Sequence, residues 1–528
     1  MKHRQADVLI IGGGLSGLMA AKHLTDASSL RPLILADGQG ASPWVHGFSV
    51  PVCPGDSAEA FYQDTVISGY GINQPALAWA LCGDAQDCLE EVRALGLTFN
   101  RQGDGYQLLK PLGSSHPRVV SIGNETGPAI MQRLRSELEG KADWLPNARA
   151  LRLRVEDGRV LGALVYDAKQ NEWITIAARS VILASGGFCG IYPFSTNKRD
   201  SGGDGVAMAY EAGCRLTDME FIQFEPSAAV WPDALRGTSV ITTMFYEGAV
   251  LRDRDGKRFM LESDPVNAER VNKDVMARRI AGAVADGRGT EHGGVYFDAT
   301  PVGAETLHAS YPAYVARYER VGVDITKEMM EIAPAPHTAL GGVMISPECR
   351  TDVAGLFACG EVIGGLHGAN RIGGSAGLET LVFGRRAGDT CAKDAPGFAI
   401  EWEGWDDWAQ TLLVGQGDAS DAQALRGRMG QALAAGAGVL RTAEGLEKAL
   451  EELAQVRREA EGLSGHTPEA AFARLRLLND LRAAELVCRG AYERRESVGC
   501  HTRLDGPEAD GKPYRLVQSR TGCVKEEA

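Results

Sequence analysis

Near its start the chain carries Asp7-Val8-Leu9-Ile10-Ile11, a short and almost wholly apolar run. Such a run suits a parallel strand buried on both faces. Gly12-Gly13-Gly14-Leu15-Ser16-Gly17 follows at once, and Leu18-Met19-Ala20-Ala21-Lys22-His23-Leu24 continues as a helix. A second apolar run, Leu33-Ile34-Leu35, ends at Asp37, 20 residues after Gly17. Strand, G-x-G-x-x-G, helix and acid together predict a dinucleotide site. The first glycine makes the turn, the second admits a pyrophosphate, the third lets helix and strand pack, and the carboxylate meets a ribose hydroxyl. The helix N-terminus faces the phosphates. Further strands are predicted over 155–165, 173–178 and 181–184, the last closing on Ser185-Gly186-Gly187. A polar, glycine-rich loop over 197–205 feeds a helix over 206–212. The stretch 218–330 changes character, with more aromatics and short mixed patterns, and reads as an inserted domain. Beyond about 420 the pattern is helical, with Leu446, Leu450, Leu453 and Val456 at helical spacing. Thr467-Pro468-Glu469 reads as an N-cap, first-turn proline and first-turn acid of a helix reaching about residue 495. The polar tail beyond 505 is expected on the surface.

Composition sharpens this picture in one respect. Glycine supplies 65 of the 528 residues, against a usual share of about 7%. Four lie in 12–17, six in 186–205 and 12 in 341–388, so the excess gathers where backbone must approach a ligand. Charge acts by exclusion. With 55 Lys+Arg against 69 Asp+Glu the net charge is −14, which argues against nucleic acid and against a polybasic membrane surface. No signal-peptide pattern or 18-residue apolar window occurs, so no membrane insertion is expected. None of the 11 cysteines falls in a C-x-x-C pair. No metal site is therefore expected, and a cytoplasmic protein with reduced thiols fits.

The motifs, in order, resemble the flavoprotein subunit of succinate dehydrogenase and fumarate reductase, a family that includes L-aspartate oxidase. The resemblance spans essentially the whole chain. It rests on the amino-terminal fingerprint, Ser185-Gly186-Gly187, Gly203-Asp204-Gly205, the stretch from Asp218 to Phe224, and Asp255-Gly256-Lys257-Arg258-Phe259-Met260. It rests most on GLFACGEV, HGANRIGG and LVFGRRAG between His337 and Gly388, and on the run from Arg494 to His501. It implies an α/β fold: a Rossmann-like FAD-binding domain (1–217 and 331–415) split by an α+β capping domain (218–330), then a C-terminal helical domain (416–528). It implies that FAD lies against Gly12, Gly14, Ser16, Gly17, Asp37, Ser42, Gly47, Ser185, Gly186, Asp204, Gly360, Glu361, Ser375 and Glu379. Members that attach FAD covalently do so through a histidine whose position is Ala41 here, and His46 lies five positions too late. Non-covalent FAD is expected, with His46 an ordinary loop histidine.

The resemblance also implies hydride transfer between flavin and a carbon next to a carboxylate, with a side-chain proton donor at the neighbouring carbon. His337 and Arg371 match the residues that hold the near carboxylate, and Arg258 matches the proton-donating arginine. Two positions depart from the family. The usual QFHP reads Gln223-Phe224-Glu225-Pro226, so the histidine for a far carboxylate has become an acid. The Glu and Arg that relay protons to the donor are absent from the run Ile241 to Gly248. Glu225 or Tyr246 is left as an alternative proton carrier. A carboxylate facing Glu225 is repelled, so the expected substrate is a carboxylate other than fumarate or succinate, with a neutral or cationic far end. Two alternatives stay open: an amino-acid oxidase like L-aspartate oxidase, and the flavin subunit of a complex with an iron–sulfur electron-transfer partner.

Overall fold

The computed structural model describes residues 1–38, 40–123, 125–413, 421–463 and 465–528. Strand β1 (Lys2–Ile11) runs into helix α1 (Leu15–Ala27) and returns as β2 (Pro32–Ala36), parallel to β1. β3 (Asp143–Pro146) lies parallel beyond β2. Next come three antiparallel strands, β4 (Ala148–Glu156), β5 (Arg159–Asp167) and β6 (Glu172–Leu183). The single strand expected over 155–165 is broken at Asp157-Gly158, where both residues have positive φ, 48° and 74°. Asp-Gly is the natural pair for a tight hairpin turn. Conversely, the two runs expected at 173–178 and 181–184 are one strand, β6. The order across the sheet is β3-β2-β1-β6-β5-β4. Helix α2 (Asp204–Ala212) follows the polar loop.

The next segment builds a second sheet. Its strands are β7 (Ile222–Trp231), β8 (Val250–Arg252), β9 (Val295–Asp298) and β10 (Met330–Ala339), ordered β7-β10-β9-β8 and antiparallel throughout. Helix α3 (Lys273–Ala283) lies between β8 and β9 in the chain. Phe245, Met260, Phe297, Tyr318 and Ile332 belong to a hydrophobic core of its own. The chain then re-enters the first sheet: β11 (Leu356–Ala358) pairs parallel with Val181–Leu183 of β6. One edge of β6 is thus shared, with β5 on its first half and β11 on its second. This shared strand turns an antiparallel meander into a parallel sheet just where the site forms. α4 (Ser375–Asp394) packs on α1.

The carboxyl-terminal part carries α5 (Ala422–Gly436), α6 (Ala443–Glu461) and α7 (Pro468–Glu493). The Thr467 hydroxyl accepts from the Ala470 amide at 3.2 Å, as its N-cap position predicts. The boundary expected at 415/416 lies outside the described residues. The tail corrects the sequence reading. β12 (Tyr514–Ser519) and β13 (Gly522–Glu527) form a hairpin, and β12 pairs antiparallel with Leu216 and Thr217. Leu516, Val517 and Gln518 are fully buried by it, so the polar tail completes a sheet instead of lying free. No described helix is long and apolar enough to cross a membrane.

Candidate active site

A long cavity opens at the carboxyl ends of β1, β2 and β6, lined there by Ile11, Leu35 and Ala184. In doubly wound sheets this is where a ligand binds. Gly12, Gly13 and Gly14 form its floor; at the start of α1 the Leu15 amide is taken by Ser42 Oγ, and the N-cap residue Gly14 offers no side chain to the amides beyond it. The first-turn amides of α1 are therefore suited to an anion. At one end stand Asp37, Arg149 and Asp204. Arg149 Nε is 2.6 Å from Asp37 and its Nη1 is 3.4 Å from Asp204. Burial opposes the charge of Arg149, but Asp204 and Asp37 outweigh it and hold the guanidinium above its usual range. At the other end stand Glu361, Glu379, His337, Thr338, Arg371 and Lys273.

The residues fit a dinucleotide cofactor. Ser185 Oγ, Arg149 Nη1 and Arg371 Nε are buried in this wall without a hydrogen-bond partner. Buried polar groups are almost always partnered, so the cavity is built to take polar groups from a ligand. A Cβ on Gly14 would come within 2.8 Å of Ser42 Oγ, which accepts from the Leu15 amide at 2.9 Å. The missing Cβ of Gly14 thus leaves room for Ser42 to seat against the start of α1. Of the residues named for FAD, Gly12, Gly14, Ser16, Asp37, Ser42, Gly47, Ser185, Gly186, Asp204, Glu361 and Glu379 line the cavity. Gly17, Gly360 and Ser375 do not. Gly17 packs against the Gly12 carbonyl, Gly360 packs against Ser16, and the Ser375 hydroxyl is buried at the start of α4. These three shape the wall from behind. His46 and Ala41 also line the cavity.

At the substrate end, β7 and β10 do the positioning. Gln223 pairs with Thr338 and Phe224 with Pro336, so His337 is the extra residue of a β-bulge. Pro336 offers no amide to a ladder, and a bulge re-aims the side chain beside it. His337 Nδ1 lies 2.8 Å from Thr196 Oγ1, which is 3.3 Å from the Pro336 carbonyl. We assign the hydroxyl proton to the shorter contact, which leaves Nε2–H free to donate. Burial drives His337 down to about 3 against the pull of Glu225, with Lys273 and Arg371 adding to the effect. It is therefore a neutral donor at pH 7. Arg371 is only 7% exposed. Its one side-chain contact is Nη2 to Thr338 Oγ1 at 3.4 Å, and among the described residues it forms no ion pair within 4.0 Å. Glu361 is pushed up to about 7 by burial and by Glu379.

The neutral His337 has a measurable consequence. Between about pH 6.5 and 3 the unfolded chain holds a proton on this imidazole that the folded chain does not. Stability therefore falls as pH drops through that window, by up to about 1.4 kcal/mol per pH unit. Buried His501, likewise held below its ordinary value by burial, adds in the same sense. Urea unfolding from pH 7 to 4.5 is expected to show a shallower decline in His337→Gln than in the wild type.

Three residues expected at the reacting end lie outside the cavity lining. Arg258 does not reach the cavity: its Nε and Nη2 hold Glu269 at 3.0 and 2.6 Å, in a bidentate pair on the capping domain. Tyr246 is 46% exposed and lies outside the lining as well. Glu225 is not a bare carboxylate. Its Oε2 is 2.5 Å from Lys273 Nζ, and Ser227 donates to Oε1 at 3.2 Å. Burial opposes the charge of Glu225, but Lys273 outweighs it and holds the carboxyl below its ordinary range. Sequence reasoning missed Lys273, Arg149, Thr196 and Asn197, all in the wall. A signal for Lys273 existed. It is the first residue of α3, where the helix dipole disfavours a cation.

Fold and cavity together define a flavin-dependent oxidoreductase. A family model for an FAD binding domain matches residues 7–376, and one for the fumarate reductase flavoprotein C-terminus matches 426–521. The chain belongs to the flavoprotein family of fumarate reductase, succinate dehydrogenase and L-aspartate oxidase, and its cofactor is FAD. It is 36% identical over 531 residues to a subunit of the fumarate reductase (CoM/CoB) of Methanothermobacter marburgensis, covering 96% of this chain and 95% of that one. It is 31% identical over 542 residues to L-aspartate oxidase of Vibrio cholerae, covering 98% and 99%. The E. coli quinol fumarate reductase FrdA structure superposes with a TM-score of 0.91 at 26% identity, covering 100% of this chain and 97% of that one.

Proposed function

We propose that this protein transfers hydride between FAD and a carbon–carbon bond next to a carboxylate, and that its preferred substrate is not fumarate or succinate. The observation that carries the reading is Arg371. A buried guanidinium without a carboxylate partner, beside the neutral donor His337, awaits a carboxylate from the substrate. Such a fork can hold one by two parallel bonds. FAD, when bound, supplies the hydride chemistry. Arg371 and His337 hold and orient the carboxylate, and Thr196 keeps His337 in its donating tautomer. The Lys273–Glu225 pair carries no net charge, so the far end of the substrate is a neutral group. This narrows the neutral or cationic alternatives that Glu225 alone would allow. FAD is held without a covalent bond, since Ala41 occupies the attachment position. Acid precipitation should release all the flavin.

The test is to reduce the bound flavin chemically and to screen unsaturated carboxylates for its reoxidation. Monocarboxylic enoates with neutral far ends are expected to exceed fumarate. Glu225→His removes the acid and frees Lys273, and should raise the fumarate-to-monocarboxylate ratio of kcat/KM at least tenfold, about 1.4 kcal/mol of discrimination. An unchanged ratio would sink the far-end assignment. The likeness to L-aspartate oxidase supports a second reading, oxidation of an amino acid. Peroxide release with L-aspartate in air would favour it. We infer further that electrons reach the flavin from a separate iron–sulfur protein. The likeness to a protein named as one subunit of a fumarate reductase supports this reading. Co-purification with an iron-containing protein tests it.

A further inference from the structure

We propose that the C-terminal helical domain is part of the FAD site: Asn479 and Asp480 on α7 are positioning residues that fix the cavity wall at its Asp37 end, and their loss weakens cofactor binding. Asn and Asp are locally unfavourable in the middle of a 26-residue helix. These two are also buried, at 1% and 0% exposure. A buried polar group costs free energy unless it is partnered, so the partners say what these residues do. Asn479 Nδ2 donates to Asp204 Oδ1 at 2.6 Å. Arg152 donates to Asn479 Oδ1, which fixes the amide with its N–H groups toward Asp204. Asp480 Oδ1 accepts from the Gly203 amide at 2.8 Å, and its Oδ2 is held by Arg426 Nε of α5 at 2.8 Å. Both side chains reach the same short run of chain, the residues that open α2.

That run belongs to the cavity: Asp200, Gly202, Asp204 and Gly205 line it. Two of its glycines also serve the helix behind it. A Cβ on Gly203 would come within 2.6 Å of the Asn479 carbonyl oxygen and of Ala483 Cβ, and one on Gly202 within 2.6 Å of Asp480 Oδ1. Bare backbone here lets the loop and α7 meet. Arg482 of α7 adds a 3.0 Å contact to Glu211 of α2.

Asp204 carries the effect into the cavity. Its carboxylate stands between the Asn479 amide and Arg149 Nη1, which is 3.4 Å away. Burial pushes the Asp204 carboxyl up, and Arg149 and the Asn479 amide oppose that shift. Arg149 also donates from Nη2 to the Asp200 carbonyl at 2.7 Å, and its Nε is 2.6 Å from Asp37. Asp37 is the acid placed to meet a ribose hydroxyl. One line of contacts thus runs from α7 through Asp204 and Arg149 to Asp37. Without the Asn479 donor, the Asp204 charge is held less firmly, and Arg149 loses part of what orients it.

The test measures binding and needs no turnover. Flavin is removed from the full-length wild type and variants, and FAD and ADP are titrated back by calorimetry. Asn479→Leu is expected to raise the dissociation constants of FAD and ADP together, each at least tenfold, because a hydrogen bond to a buried charge is lost. ADP carries the half of the cofactor that meets Asp37, so a defect placed there weakens it as much as FAD. Asp480→Leu should act in the same way. Asp480→Asn, whose amide oxygen still accepts from Gly203, should stay within threefold of wild type, a rescue that a general loss of packing does not produce. If Asn479→Leu does not fold, Asn479→Asp at pH 8 takes its place. It keeps the shape, removes the donor and sets a carboxylate against Asp204, and the same tenfold loss is expected. FAD affinity within threefold of wild type in the folded Asn479 variant would overturn the proposal. So would a tenfold weaker FAD with unchanged ADP, which places the effect at the other end of the cavity. Neither result involves the carboxylate substrate, so failure here leaves the proposed reaction standing.

Discussion

Arg371→Met is expected to yield a folded, flavin-loaded protein whose kcat/KM for its carboxylate substrate is about 10³-fold lower. Removing one partner of a buried ion pair costs about 3–5 kcal/mol, and each 1.4 kcal/mol is tenfold. Here the pair forms only when substrate arrives, so the loss appears in catalysis more than in folding. The guanidinium has no carboxylate within 4.0 Å among the described residues, and its hydrogen-bond partner is the Thr338 hydroxyl. Glu361, already pushed up to about 7 by burial and Glu379, is lowered in part by Arg371. Without that cation it takes a proton at neutral pH, so no buried charge is stranded. Methionine also keeps most of the buried volume. Stopped-flow reoxidation gives the rate, and flavin absorbance with thermal unfolding gives the state of the protein. A loss below tenfold at unchanged flavin content would mean that the substrate carboxylate binds elsewhere.

The cofactor half of this site was readable because its signals are local. An apolar strand, glycines at fixed offsets and an acid 20 residues on need no tertiary information, and Gly12, Gly14 and Asp37 all line the cavity. Strand ends were harder. Over 155–165 the apolar positions on either side of Glu156-Asp157-Gly158-Arg159 read as one strand, because a hairpin buried on one face stays apolar beyond its turn, although Asp-Gly itself marks that turn. The tail was misjudged for a related reason. Leu516 and Val517 sit among polar residues, and only pairing with Leu216 and Thr217 buries them. At the reacting end, a matched motif suggested Arg258, but side-chain direction is set by the capping sheet and by Glu269. Lys273, 15 residues further on, reaches the cavity instead. His337 was found from its motif, yet the bulge that turns it inward follows from strand register, which no single segment encodes.

Gly12→Ala carries the other large effect, and here folding itself should fail. Gly12 has φ +122°, a conformation closed to L side chains. An added Cβ would run into the Ala184 carbonyl, its carbon only 2.7 Å away, and both colliding atoms are backbone. Ala184 cannot retreat, because its amide donates to the Ile11 carbonyl at 2.9 Å, while the Gly12 amide donates to Leu35 at 3.1 Å. One methyl group therefore forces apart β1, β2 and β6, the three strands whose ends make the flavin floor. Strain and overpacking together cost about 3–5 kcal/mol, a large part of the usual stability of about 5–15 kcal/mol. The neighbouring glycine supplies the control. Gly13 has ordinary φ, and its Cβ would meet the Ala36 side chain at 3.1 Å, so Gly13→Ala should cost about 1 kcal/mol or less. The ratio of flavin to protein absorbance after purification, with thermal unfolding, separates the two. Near-zero flavin and a collapsed transition are expected for Gly12→Ala, against near-normal values for Gly13→Ala. Equal flavin content in both would show that the cofactor does not rest on this turn.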